Sequence, residues 1–218
     1  MSFGYIGDTS TSVKQQVKNK GILTTQESFD LERQGFLGGS LELIEEQNYS
    51  STVTAIDFTS IKGNIYDVHL LQVQNLKSVS SNNAPVGIQF FESWTIESGS
   101  VYRYGLYKNS TSSATVDTST SSSIIKTCTT ATGGGVGKPY NFYAYLYKLN
   151  DSTASSFVTS HGFGHDAFAG AGTVMNTHFG GGMLPQQSTV DGIRITTSTA
   201  VDLASFNIKL YGMKQWVL

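Results

Sequence analysis

The sequence predicts an all-β fold: an antiparallel β-sandwich or jelly roll of about ten short strands, preceded by a short helical N-terminal arm. Three observations carry this. Apolar residues recur with period two from Leu41 onward. Charged residues make up only 14% of the 218, against roughly 25% in ordinary domains, and Gly (23 residues), Ser and Thr take their place. The first forty residues instead space apolar side chains one helical turn apart.

The arm comes first. Thr11 or Ser12 is placed to cap a helix through VKQQVKNK, with Val13 and Val17 one turn apart and Gly21 as its stop. Thr24 and Glu27 form a capping box that opens a second helix through SFDLERQ, ended by Gly35. Each helix is about two turns long, too short to be stable alone in water. Residues 1–40 are therefore expected to pack on something else, with Val13, Val17, Phe29 and Leu31 as contact residues. Phe36-Leu37-Gly38-Gly39-Ser40 reads as the hinge to a sandwich domain at 41–218.

Within that domain Thr54, Ile56 and Phe58 alternate with Asp57, and Tyr66, Val68 and Leu70 alternate in IYDVHLLQVQNL. The Leu70-Leu71 doublet then passes the apolar face to Leu71 and Val73, which suggests a bulge or a strand buried on both sides. Further strands are expected around Val86, Ile88 and Phe90, around Tyr102, Tyr104 and Leu106, and at Ile124-Ile125. Others fall at Phe142, Ala144 and Leu146, at Ile193 and Ile195, and at Phe206, Ile208 and Leu210. Positions 110–123, with Ser or Thr at eleven of fourteen, read as a mobile excursion outside the core. Positions 131–137 read as a glycine-rich turn.

Composition excludes several function classes. The formal net charge is −2 and the 14 basic residues are scattered, so no counterion-releasing basic surface for nucleic acid is expected. No apolar run approaches the roughly 18 residues of a membrane span, so no membrane insertion is expected. The opening MSFGYIGDTS lacks the basic and apolar regions of a secretory signal, so synthesis in a cytoplasm is expected. The lone Cys128 can form no intrachain disulfide and reads as a small buried apolar residue.

The motifs that resemble chemical sites fall short. The run Gly133-Gly134-Gly135-Val136-Gly137-Lys138 has Thr132 where a phosphate loop needs its first Gly, and Pro139 where it needs Ser or Thr. His161, His165, Asp166 and His178 have metal-ligating chemistry, but SHGFGHDAFAGAGT reads as a polar surface loop whose spacing fixes no geometry. There is no GxSxG elbow. Asp57, Asp67, Glu92 and Glu97 stand at strand or turn positions where a solvated charge suffices. No catalytic, cofactor-binding or metal-binding residue is assigned, and no cofactor is expected.

The tyrosines are more informative. Tyr143, Tyr145 and Tyr147 share one face of NFYAYLYK, opposite Phe142, Ala144 and Leu146, and Tyr102, Tyr104 and Tyr107 add further rings. Such rows suit subunit interfaces and also sugar stacking.

With arm, hinge and sandwich in place, the chain resembles virion structural proteins of marine tailed phages of the cyanophage and pelagiphage kind. The resemblance rests on SFGYIGDTSTSVKQQVKNKGILTTQESFDLERQGFLGGSLELIEEQ (Ser2 to Gln47) and IDFTSIKGNIYDVHLLQVQNL (Ile56 to Leu76). STVDGIRI (Ser188 to Ile195) and FNIKLYGMK (Phe206 to Lys214) are similar to closing strands of sandwich modules in phage tail and fibre proteins. It implies a virion location, as a tail fibre or adaptor or as a head decoration, with other virion proteins as partners of the arm and self-association of the domain. The alternative is a lectin-like module that binds a host-surface glycan, and a hydrolase is a distant third. The resemblance is poor across 109–182 and implies no catalytic residue.

Overall fold

Alternating apolar residues become strands in most of the described part of residues 41–213. A computed structural model describes residues 26, 41–78, 85–111, 113–128, 139–165, 175–198 and 202–213. Contacts divide the chain into two units, 1–40 and 41–218. The expected arm helices, their contact residues Val13, Val17, Phe29 and Leu31, and the Gly-Gly hinge lie outside the described residues, as do positions 131–137.

Residues 41–213 carry two antiparallel sheets. The larger has the spatial order β1 (Leu41–Tyr49), β14 (Phe206–Met213), β3 (Val68–Ser78), β9 (Tyr140–Tyr147), β10 (Ser156–His165), β11 (Met175–Leu184), β6 (Tyr102–Ser110) and β7 (Ala114–Ser122). The two-residue β13 (Leu203–Ala204) pairs with β3. The smaller sheet runs β2 (Ala55–Phe58), β12 (Val190–Thr197), β4 (Val86–Glu92) and β5 (Thr95–Ile96), with β8 (Ile125–Lys126) also on β4.

One hydrophobic cluster takes side chains from both sheets. Leu71, Val73, Phe142, Ala144, Leu146, Ile208 and Leu210 come from the larger, and Ile56, Phe58, Ile88, Phe90, Ile193 and Ile195 from the smaller. These are the inward positions of the period-two pattern, which is why the core was readable residue by residue. Cys128 is buried beside them, and the Val86 N–H points to its sulfur at 3.2 Å.

Three expectations are corrected. Most of 110–123 is not a loop but the edge strand β7, paired along β6 from Asn109↔Ala114 to Tyr102↔Ser122. An edge strand needs only backbone pairing on one side, and β-branched Thr and Val suit it, so the lack of an apolar face did not prevent it. Asp117 ties it down by accepting from Tyr104 Oη at 3.0 Å and from Lys126 Nζ at 2.9 Å.

The histidine segment is also strand. His161 and His165 lie on β10 and His178 on β11, in continuous register from Ser156↔Leu184 to His165↔Met175. Its alternation sets bulky residues against glycine rather than apolar against polar, which reads as loop by composition. Gly162 and Gly164 are inward positions over which the Tyr140 ring lies. A Cβ at 162 would stand 2.7 Å from both Tyr140 Cζ and Phe142 Cβ.

The bulge in β3 falls not at Leu70-Leu71 but between Val73 and Leu76, where the pairing with β9 shifts. Asn75 has φ 58°, and the Asn141 side chain accepts its N–H at 2.8 Å. Leu71 points into the core while Leu70 is half-buried on the other face, between Tyr145 and Tyr211 in register.

Candidate functional site: the outer face of the larger sheet

The side of the larger sheet away from the shared core is built by the alternate residues of each strand. Cross-strand register sets Tyr143 opposite His161 and Gln72, Tyr145 opposite Thr159 and Leu70, and Tyr147 opposite Phe157 and Val68. On the next strand His161 faces Phe179, Phe157 faces Met183 and Phe163 faces Thr177. Phe179 in turn faces Tyr107. Tyr211 and Leu43 continue the Leu70 row toward the β1 edge.

The rings touch one another. Tyr143 lies edge-on to Tyr145 at 6.0 Å and to His161 at 5.6 Å, and Tyr107 meets Phe179 at 5.0 Å. Tyr143 Oη is 3.3 Å from His161 Nδ1. Such pairs add about 0.5–1.5 kcal/mol beyond area burial and hold the rings in place. A shallow depression of about 380 Å³ lies between Leu41, Leu70, Gln72, Tyr143, Tyr145 and Tyr211.

Two properties set this face apart from ordinary surface. Phe157, Phe163, Met175 and Phe179 are each about half exposed, as are Leu41, Leu43 and Tyr143. The outward positions of β9, β10 and β11, and those of β3 from Val68 to Gln74, hold no Asp, Glu, Lys or Arg. Loss of charge with enrichment of aromatics and Met distinguishes the centre of a protein interface from surrounding surface.

The expected site residues divide accordingly. Tyr143, Tyr145, Tyr147 and Tyr107 gather on this face, whereas Tyr102 and Tyr104 do not join them. Both point into the core, with Tyr102 Oη donating to the Glu97 carbonyl at 2.8 Å and accepting from the Phe90 N–H at 2.9 Å. Burial pushes both phenols above their ordinary range. Arg103 and Gly105 take the outside of their strand, as the alternation of Tyr102, Tyr104 and Leu106 implies.

The histidines separate too. His161 is outward, while His178 is buried on the inner face, edge-on to the Tyr140 ring at 5.8 Å. The register pairs His178 with Gly162 rather than His161, so the two imidazoles stand on opposite sides of one sheet. Asp166 and the His165 side chain lie outside the described residues.

The carboxylates have structural partners. Asp57 takes a two-point contact from its cross-strand neighbour Arg194, at 2.6 and 2.7 Å, and that guanidinium also lies 5.3 Å over the Phe91 ring. Glu92 accepts from Ser188 Oγ. Glu97 accepts from the Gly99 N–H at 2.7 Å and from Gln186 at 3.3 Å. Asp67 is exposed.

No family model, curated protein or solved structure matches this chain. The physical chemistry of the surface thus carries the functional reading.

Sequence reasoning missed part of this surface. Phe157, Phe163, Phe179 and Met175 lie in segments that alternate with Gly, Ser and Thr, and only the pairing of β10 with β9 and of β11 with β10 aligns them beside the tyrosines. It also passed over Trp94, at the tip of the β4–β5 hairpin, because Ser-Trp is not a familiar turn pair.

Proposed function

We propose that this chain is a non-enzymatic structural component of a tailed-phage virion. It is a jelly-roll-like β-sandwich that assembles with further copies of itself through the outer face of its larger sheet. The exposed, charge-free aromatic face is the observation that carries the assembly role. The four strands that carry it, β3, β9, β10 and β11, at about 4.8 Å spacing and over roughly 20 Å of strand length, present on the order of 400 Å². That is within the ~300–600 Å² of the largest patch on most monomers, which is itself often functional, and about half of the ~800 Å² each partner gives to a standard interface.

The virion setting comes from the resemblance of Ser2–Gln47 and Ile56–Leu76 to marine phage structural proteins. Residues 1–40 would be the arm that anchors the domain on a neighbouring virion protein, in a tail fibre or adaptor or on the head surface.

The test replaces Tyr143, Tyr145 and Tyr147 together by Ser. The inward Phe142, Ala144 and Leu146 are untouched, so the circular-dichroism melt should remain cooperative. Mass photometry should show an oligomer for the wild type and a shift to monomer for the variant. An assembly state unaffected by the substitutions refutes the interface. Mass spectrometry of purified particles that lack the chain refutes the virion role.

A further inference from the structure

Trp94 is the most exposed large apolar side chain among the described residues, at 72%. It is the second residue of a two-residue hairpin connection, since Glu92 pairs directly with Thr95. Ser93 and Trp94 both adopt left-handed backbone, with φ of 52° and 63°. That turn favours Asn-Gly, because a Cβ is disfavoured there. The indole therefore sits where neither core packing nor backbone preference asks for it.

The turn is held from the neighbouring strand. Asp191 Oδ2 accepts the Trp94 N–H at 2.7 Å. Asp191 lies where the β12–β4 register shifts, between Val190 and Gly192. A bulge at that point re-aims a side chain toward the hairpin tip. Lys62 (φ 53°) and Lys148 (φ 60°) line the openings beside it. Four of the six left-handed non-glycine residues described thus gather in this region. Such clustering of backbone strain is characteristic of binding sites.

Trp94 and Asp191 border a groove of about 370 Å³ whose floor includes Ile61 and whose walls include Lys62, Asn64 and Asn150. A second groove of about 320 Å³ shares Gly63, Asn64 and Asn150 with it. Among the described residues, the Asn64 and Asn150 side-chain amides make no hydrogen bond. The groove therefore offers one aromatic plane, two amides with free donors and acceptors, one cation paired with Glu42, and the Asp191 carboxylate, whose Oδ2 holds the turn and whose buried Oδ1 has no hydrogen-bond partner among the described residues.

We infer that this groove binds a neutral carbohydrate. One pyranose ring stacks its apolar face on the Trp94 indole, and its hydroxyls bond to Asn64, Asn150 and Lys62. A hydrocarbon ligand would leave both amides unpaired on burial. An anion would need a surplus of cations, whereas the Lys62 ammonium is already paired with Glu42 at 3.7 Å. A pyranose is apolar on one side and rich in donors and acceptors at its rim, which matches this lining. The inference is independent of the assembly role, since the groove shares no residue with the aromatic sheet face.

The test uses the full chain and a panel of methyl α- and β-pyranosides of glucose, galactose, mannose and N-acetylglucosamine. Saturation-transfer NMR should detect binding of at least one member, with the millimolar affinity typical of a single-ring site. Trp94→Gly should weaken it at least ~tenfold, as expected for loss of an aromatic anchor. Glycine suits the left-handed turn, so its melting temperature should equal or exceed wild type. Trp216→Phe leaves Trp94 as the sole tryptophan. In that background the sugar should shift the emission and protect it from iodide quenching. If Trp94→Gly lowers the melt, Asn64→Ala with Asn150→Ala should give the same loss of binding on an intact fold. No transfer to any sugar, or binding unchanged in both variants, overturns the inference.

Discussion

Gly162→Ala is the sharpest test of how the larger sheet is packed. Gly162 is an inward position of β10, and the Tyr140 ring occupies the space where its side chain would be. A Cβ there would run into the Tyr140 hydroxyl and stand 2.7 Å from Phe142 Cβ. Neither neighbour is free to yield. Phe142 is buried in the cluster and stacks on Tyr140 at 5.5 Å. Tyr140 is fully buried, and its hydroxyl donates to the Thr127 carbonyl at 2.6 Å. Burial holds its phenol well above the usual tyrosine range, so it remains a donor across ordinary pH.

The added methyl therefore overpacks the core, at about 1–3 kcal/mol, and displaces a hydrogen bond worth about 1 kcal/mol. The sum of roughly 2–4 kcal/mol should lower the melting temperature by about 5–15 °C in a domain of this size. Gly105→Ala is the matched control. It lies on the outer face of the same sheet, where the nearest atom to a new Cβ is Thr118 Cγ2 at 4.0 Å. That change should be neutral or stabilise by up to about 1 kcal/mol through the unfolded state. Circular-dichroism melts of the two variants decide the matter. If Gly162→Ala melts within about 2 °C of wild type, the effect of roughly 0.5–1 kcal/mol or less, the ring does not occupy that site as described.

Acid should destabilise the fold through His69. This side chain is fully buried, its Nε2–H donates to the Ile61 carbonyl at 2.7 Å, and its Nδ1 has no partner among the described residues. Burial is the main cause that holds it below the usual histidine range, outweighing the Ile61 bond and the Asp67 charge. As pH falls below about 6.5 the unfolded chain takes the proton first, so stability is fully present above that pH and is lost below it. Melting temperatures from pH 8 to pH 5 should fall less steeply for His69→Gln, and equal slopes would count against this. Asp57→Asn should cost about 0.5–1 kcal/mol, since the Arg194 pair is two-pointed but partly exposed, and a urea midpoint unchanged from wild type would contradict it. Stoichiometric zinc should leave the melt unchanged, because His161 and His178 lie on opposite faces. A rise that His161→Ala abolishes would show that they converge.

The sequence by itself determined the strand class, most of the core and the outward row Tyr143, Tyr145 and Tyr147. Each follows from period-two alternation, a local property in which one strand's inside and outside differ in polarity. Where that contrast is missing, local reading failed. β7 is polar on both sides, and β10 and β11 set aromatics against glycine, so their strand character exists only through pairing with β6 and β9. Tyr102 and Tyr104 share the inward face with Leu106, as their alternation with Arg103 and Gly105 implies, and so do not join the outer rings. The aromatic face and the Trp94 groove belong wholly to the tertiary level, since their residues come from strands and loops far apart in the chain. Hydrogen-bond register across the sheets brings them side by side, and no periodicity within one segment encodes that.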